Sequence, residues 1–102
     1  MYQLKFLPLA RQDMTAISRY ISHELHNPTA AEKLAVKMIE AAESLTDFPY
    51  KNAIHQPVKP LKKEFRKQKV KNYFIFYWVD EKEKTITIAR VIYARRDYEK
   101  LL

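Results

Sequence analysis

The run Tyr73-Phe74-Ile75-Phe76-Tyr77-Trp78-Val79 is the strongest constraint on how this chain folds. Seven uncharged β-formers in succession suit a strand covered on both faces. The charged tip that follows, Asp80 to Lys84, is short enough to be a hairpin loop. Thr85-Ile86-Thr87-Ile88 then alternates polar and apolar residues, as a half-buried return strand should. The pattern predicts the central hairpin of a small sheet. Its functional edge falls at Arg95-Arg96-Asp97-Tyr98, where cationic and aromatic side chains gather.

The rest of the chain supplies what covers that hairpin. Tyr2 to Phe6 alternates loosely and stops at Pro8, which predicts a short first strand. From about Leu9 to His26 the period changes, and Ala10, Met14, Ile17, Ile21 and Leu25 form the apolar stripe of an amphipathic helix. Asn27 suits an N-cap and Pro28 the first turn of a second helix. That helix carries Ala31, Leu34, Ala35, Met38, Ala42 and Leu45 on one side and ends before Phe48-Pro49. So short a connection makes the two helices an antiparallel hairpin, and only the aromatic sheet is available to bury their stripes.

Residues 49–63 carry three prolines and no periodicity, which predicts a loop. Lys62 to Lys71, KKEFRKQKVK, reads as a basic strand anchored by Phe65 and Val70, with Asn72 turning the chain into the central strand. The order is β-α-α-β-β-β. It predicts an α+β fold, one domain over residues 1–102, with an antiparallel-rich sheet packed against an N-terminal helical hairpin. Ile17, Ile21, Leu34, Met38, Phe76 and Ile88 are expected among the least exposed residues.

Composition narrows the chemistry. A net charge of +7 on 102 residues points to a polyanionic partner, nucleic acid or an acidic protein segment. The absence of cysteine rules out disulfides, thiol nucleophiles and thiolate metal sites, and suits a reducing cytoplasm. The absence of glycine rules out a Walker loop and a dinucleotide fingerprint. The N-terminal stretch lacks the apolar run of a signal peptide, and no run approaches the ~20 residues of a membrane helix. A soluble, cytoplasmic protein with no membrane partner and no cofactor is expected.

Two basic clusters stand out. Lys67, Lys69 and Lys71 share one parity of a strand, so their ammonium groups would project at ~7 Å intervals, near the spacing of successive phosphates. The alternative role is to protect an edge strand from aggregation. Arg66 lies in the same stretch and joins the candidate binding residues. Arg90 shares parity with Ile86, Ile88 and Ile92 and therefore requires a phosphate or a carboxylate such as Asp80 or Asp97. Arg95 and Arg96 emerge just past the strand, close to Tyr93, as binding candidates. His23 and His26 have metal-ligand spacing but no third ligand, and complementing a helix dipole explains them more simply, so no metal is expected. His55 alone in the Pro-rich loop says little, and no serine has a matched base.

Tyr20-Ile21, the Pro-Thr-Ala-Ala start of the second helix, Asp47-Phe48-Pro49, Asn72 to Tyr77 and Arg90 to Asp97 together resemble the RelE/ParE family of bacterial toxins. The likeness spans nearly the whole chain. It implies the toxin of a type II toxin–antitoxin module, of the kind that serves growth inhibition and plasmid stabilization. Its partner would be a cognate antitoxin, acidic or amphipathic, that folds as it binds. RelE-like members cut messenger RNA on the ribosome, and ParE-like members poison DNA gyrase. By resemblance, a RelE-like reading assigns catalysis to Lys67, Lys69, Arg95 and Tyr98; Lys71, Arg66, Arg90, Arg96 and Tyr93 are the candidate binding residues. The arginine that reading expects after the central-strand tyrosine is Phe74, and Leu101-Leu102 lack its late aromatic, which Tyr98 or Tyr93 would replace. The long hairpin and the Arg-Arg-Asp ending look more like ParE, so gyrase poisoning ranks first and mRNA cleavage second. A non-toxic nucleic-acid-binding module and a degenerate regulatory partner are the remaining readings.

Overall fold

The computed structural model describes residues 1–59 and 61–102. The elements are β1 (Gln3–Phe6), α1 (Pro8–Arg19), α2 (Pro28–Ser44), β2 (Arg66–Val70), β3 (Tyr73–Asp80) and β4 (Thr85–Tyr93), with a 3-10 turn at Tyr98–Leu101. They form the expected α+β arrangement: a four-stranded sheet in the order β1-β4-β3-β2, parallel only between β1 and β4.

Local chemistry sets the helix ends. Pro8 opens α1, where its missing N–H has no partner to lose and its fixed φ already suits a helix. At the far end, Tyr20–Glu24 widens into one π-helical turn, in which the Leu25 N–H reaches the Tyr20 carbonyl. His26 then reverses the chain at φ 50°, a conformation that glycine would adopt more cheaply and that this chain, lacking glycine, builds without it. Asn27 caps α2 by accepting the Ala30 N–H on Oδ1 at 3.1 Å. The π turn rotates the end of the predicted stripe away from the sheet, leaving Leu25 exposed.

Alternation along β3 divides the core into two layers. Ile75 and Tyr77 face the helices, where they meet Ala10, Met38, Ala42, Leu45, Ile86, Ile88 and Val91. Tyr77 is fully buried, and its hydroxyl donates to the Pro49 carbonyl at 3.2 Å while accepting from Asn52 Nδ2. On the reverse face, Phe76 packs with Phe65, Ala89 and Ile92, flanked by Phe74, Trp78, Tyr98, Leu101 and Leu102. The helical hairpin covers one face of the sheet, and the loop before β2 with the 3-10 turn covers the other.

Two expectations are corrected here. Met38, Phe76 and Ile88 are buried, but Ile17, Ile21 and Leu34 are only half-buried, because the hairpin's outer end overhangs the sheet without closing on it. A β-bulge also interrupts the β3–β4 ladder: Phe76 pairs with Arg90 and Tyr77 with Ile88, leaving Ala89 as an extra residue. Ile86 and Ile88 therefore face the helices while Ile92 faces away, so the three share no common parity for Arg90 to join.

Candidate functional site

The overhang of the hairpin leaves a groove of about 1030 Å³ between α1, α2 and the end of the sheet. Its floor is apolar and aromatic, from Ile17, Tyr20, Ile21, Leu34, Tyr73 and Tyr93. Lys33 and Lys37, one turn apart on α2, stand on one bank, and Lys71 and Arg96 also line it. Asp13, the one acidic residue lining the groove among the described residues, is already engaged by Arg90. The trough is thus a largely apolar surface bordered by Lys33, Lys37, Lys71 and Arg96, none of which makes an ion pair among the described residues.

The reverse face holds a second cluster. The β2–β3 register places Lys67 opposite Phe76 and Lys69 opposite Phe74, so these two lysines do share a face. Lys67 Nζ lies 4.6 Å from the centre of the Phe74 ring and 5.2 Å from that of Tyr98, and it donates to the Tyr98 hydroxyl at 3.4 Å. Tyr98 also packs edge-on against Phe74 and His55. Lys69 is exposed.

The other candidates are dispersed. Lys71 is not in the strand but in the β2–β3 turn, at φ 55°, and it faces the groove instead of continuing the lysine row. Arg66 belongs to the helix face; its guanidinium stacks on Tyr50 at 4.9 Å and donates to the Asn52 carbonyl. Arg90 pairs with neither Asp80 nor Asp97 but with Asp13, through Nε at 2.8 Å and Nη2 at 2.9 Å. Asp97 pairs with Lys100 at 3.5 Å. Tyr93 is exposed at the groove and stacks edge-on against Tyr73. Arg95 is exposed and has no ion pair among the described residues, and Arg96 lines the groove.

The sequence reading missed three members of these sites. Lys33 and Lys37 look like ordinary solvent-facing helix lysines until the overhang places them on the groove. His55 enters the reverse-face cluster from a loop with no periodicity to orient it, and burial together with nearby Lys67 lowers its pKa.

The model of the family described as "ParE toxin of type II toxin-antitoxin system, parDE" matches residues 4–98. The chain belongs to the ParE toxin family. Solved structures agree on the fold. A chain of the chromosomal ParDE system from P. aeruginosa superposes on this ParE-family toxin with a TM-score of 0.75 at 22% identity, covering 93% of this chain and 98% of that one. A chain of the RelBE2 toxin–antitoxin complex from Mycobacterium tuberculosis gives 0.64 at 18% identity, covering 90% and 96%. One from the intact E. coli RelBE complex gives 0.58 at 20%, covering 94% and 100%. No curated protein sequence matches this ParE-family toxin.

Proposed function

We propose that this ParE-family toxin arrests bacterial growth in the cytoplasm as a poison of DNA gyrase, and that a cognate antitoxin neutralises it by filling the groove. The missing anion stabiliser in the nuclease candidate cluster carries the choice of target. Cleavage of RNA through its own 2′-OH requires a base, an anion stabiliser and an acid within reach of one phosphate. Lys67, Lys69 and Tyr98 share the reverse face, but no arginine contact joins them among the described residues: Arg95 makes no ion pair and Arg96 lines the groove beside the helices. Phe74 occupies the position where resemblance calls for an arginine, and its ring packs under the Lys67 ammonium.

The groove supports the partner reading. An apolar trough bordered by Lys33, Lys37, Lys71 and Arg96 suits an amphipathic segment whose apolar stripe is flanked by acidic residues. Such a segment would order itself on binding, with the positive banks steering its approach.

Ribosome-dependent mRNA cleavage is the second reading. It is favoured by the one pair of its candidates that does meet, Lys67 and Tyr98 at 3.4 Å. Regulated expression in a bacterium, with pulse labelling of DNA and protein synthesis, separates the two. Gyrase poisoning stops DNA synthesis first and inhibits supercoiling by purified gyrase. Early collapse of protein synthesis with cut messages would reverse the order, and unimpaired growth would leave a non-toxic regulatory or nucleic-acid-binding module.

A further inference from the structure

Two segments far apart in sequence, the loop around His55 and the 3-10 turn Tyr98–Leu101, are clasped onto the reverse face by a few contacts. Glu99 accepts the Val58 N–H at 2.8 Å, Lys67 Nζ donates to the Tyr98 hydroxyl, and Arg90 Nη1 donates to the Leu101 carbonyl at 3.0 Å. His55 stands at their centre. Its backbone N–H is held by the Phe65 carbonyl at 2.7 Å, its side chain is 8% exposed, and its ring packs edge-on against Phe76 and Tyr98. The Nε2 atom is buried and has no hydrogen-bond partner among the described residues. The nearest carboxylate oxygen, Glu99 Oε1, lies 3.7 Å away, beyond hydrogen-bond reach. The groups facing this imidazole are Lys67 from β2 and Tyr98 and Glu99 from the 3-10 turn, while β3 offers only the ring of Phe76.

We propose that His55 is a proton-triggered latch: neutral, it keeps the loop and the 3-10 turn closed over the Phe74/Phe76/Lys67 surface; protonated, it releases them. A proton on Nε2 would place a second cation in an enclosure that already holds Lys67, with little water to solvate it. The carboxylate beside His55, Glu99, takes the Val58 N–H on the same Oε1 that lies 3.7 Å from Nε2. Burial and Lys67 push the histidine below its ordinary 6.5 and outweigh the opposing pull of Glu99. The sign follows. A base whose pKa is lowered in the closed form stabilises that form fully above 6.5, and this contribution is lost as pH falls through 6.5 toward the lowered value. Each unit of separation between the open and closed values changes the open-to-closed ratio about tenfold. The released surface would present Phe74 and Phe76 beside Lys67 and Lys69. This inference does not depend on which target the toxin attacks.

Hydrogen exchange on the full chain tests it, with protection corrected for intrinsic rates, from about pH 8 to about pH 5. The amides of His55, Val58 and the 3-10 turn are expected to lose protection on acidification, while those of β3 keep theirs. The midpoint should coincide with the His55 titration read by NMR. His55→Gln should make the profile flat. Lys67→Gln should shrink the acid-induced loss and Glu99→Gln should enlarge it, a pair of opposite effects that a merely structural role does not produce and that still tests the latch if His55→Gln fails to fold. Protection that does not change with pH, changes equally in His55→Gln, or rises on acidification because His55 and Glu99 pair more tightly, overturns the proposal.

Discussion

Asp13 and Arg90 meet in a two-pronged ion pair, and the same carboxylate takes a third hydrogen bond from the Val91 N–H at 2.9 Å. The short length of β1 explains why. That strand ends at Phe6 and its ladder on β4 stops near Ile88, so the rest of β4 has an open edge. Asp13, one and a half turns into α1, serves that edge as a continuing strand would. Arg90 meanwhile ties α1 to the 3-10 turn through the Leu101 carbonyl. Both side chains are mostly buried, at 17% and 15% exposure, so the pair is screened little by water.

Asp13→Ala is therefore expected to destabilise the fold by about 3–5 kcal/mol, because it strands a largely buried guanidinium and leaves a backbone donor unpaired. Urea denaturation reads this directly. A loss under about 1 kcal/mol, the size typical of surface ion pairs, would show that the pair is not the support described.

The two sides of the hairpin should respond differently to truncation. Met38 is 2% exposed beneath the helices, and Met38→Ala should cost about 2–5 kcal/mol. Ile17 is half-buried at the groove, and Ile17→Ala should cost less than half as much while weakening antitoxin binding. Equal losses of stability would mean that the groove is closed in solution.

At the hairpin tip, Glu81 accepts hydrogen bonds from Lys84, Tyr50 and Tyr2, and these hold its carboxyl down at about 2. The Glu81 carboxylate in turn pushes Tyr50 up to about 12. The Glu81 contribution is present above its ordinary 4.5 and is lost as pH falls toward 2; that of Tyr50 is present below 10 and is lost as pH rises toward 12. The cluster is exposed, so both contributions should be small and should shrink with salt. Comparing urea midpoints near pH 7 and near pH 3, wild type should lose more than Glu81→Gln. Identical losses would show that the network does not persist in solution.

Lys71 holds φ 55° in the β2–β3 turn, a conformation that costs a side chain with a Cβ about 1–2 kcal/mol. Lys71→Gly relieves this but gives the unfolded chain more freedom, so a net gain of about 1 kcal/mol is expected in a thermal melt. The same change removes a charge from the groove bank and should weaken antitoxin binding. A lower melting temperature would mean that the lysine contributes more than its strain costs.

Much of the fold was legible because its signals are local. The β3 run, the stripes of both helices and the Asn27-Pro28 start of α2 each announce an element within one window. The bulge was not, because Ala89 is as small and apolar as its setting allows, and nothing in ARVIY marks the extra residue that moves Arg90 off the parity of Ile86 and Ile88. The Asp13–Arg90 pair spans 77 positions, so sequence proximity points instead to nearer acids such as Asp80 and Asp97. His55 and the groove lysines depend on where a loop and a helix overhang come to rest, which side-chain periodicity does not encode.

The groove banks give the last prediction. Lys33 and Lys37 are exposed and make no ion pair among the described residues, so Lys33→Glu with Lys37→Glu should change stability by under about 1 kcal/mol in total. The substitutions reverse two charges on one bank and leave the apolar floor intact. Antitoxin association should slow, its dependence on salt should fall, and affinity should drop by at least about tenfold. Growth arrest by the free toxin should be undiminished, and co-expressed antitoxin should protect poorly. If neutralisation is unaffected while the protein remains folded, the antitoxin is held elsewhere and the groove is not its seat.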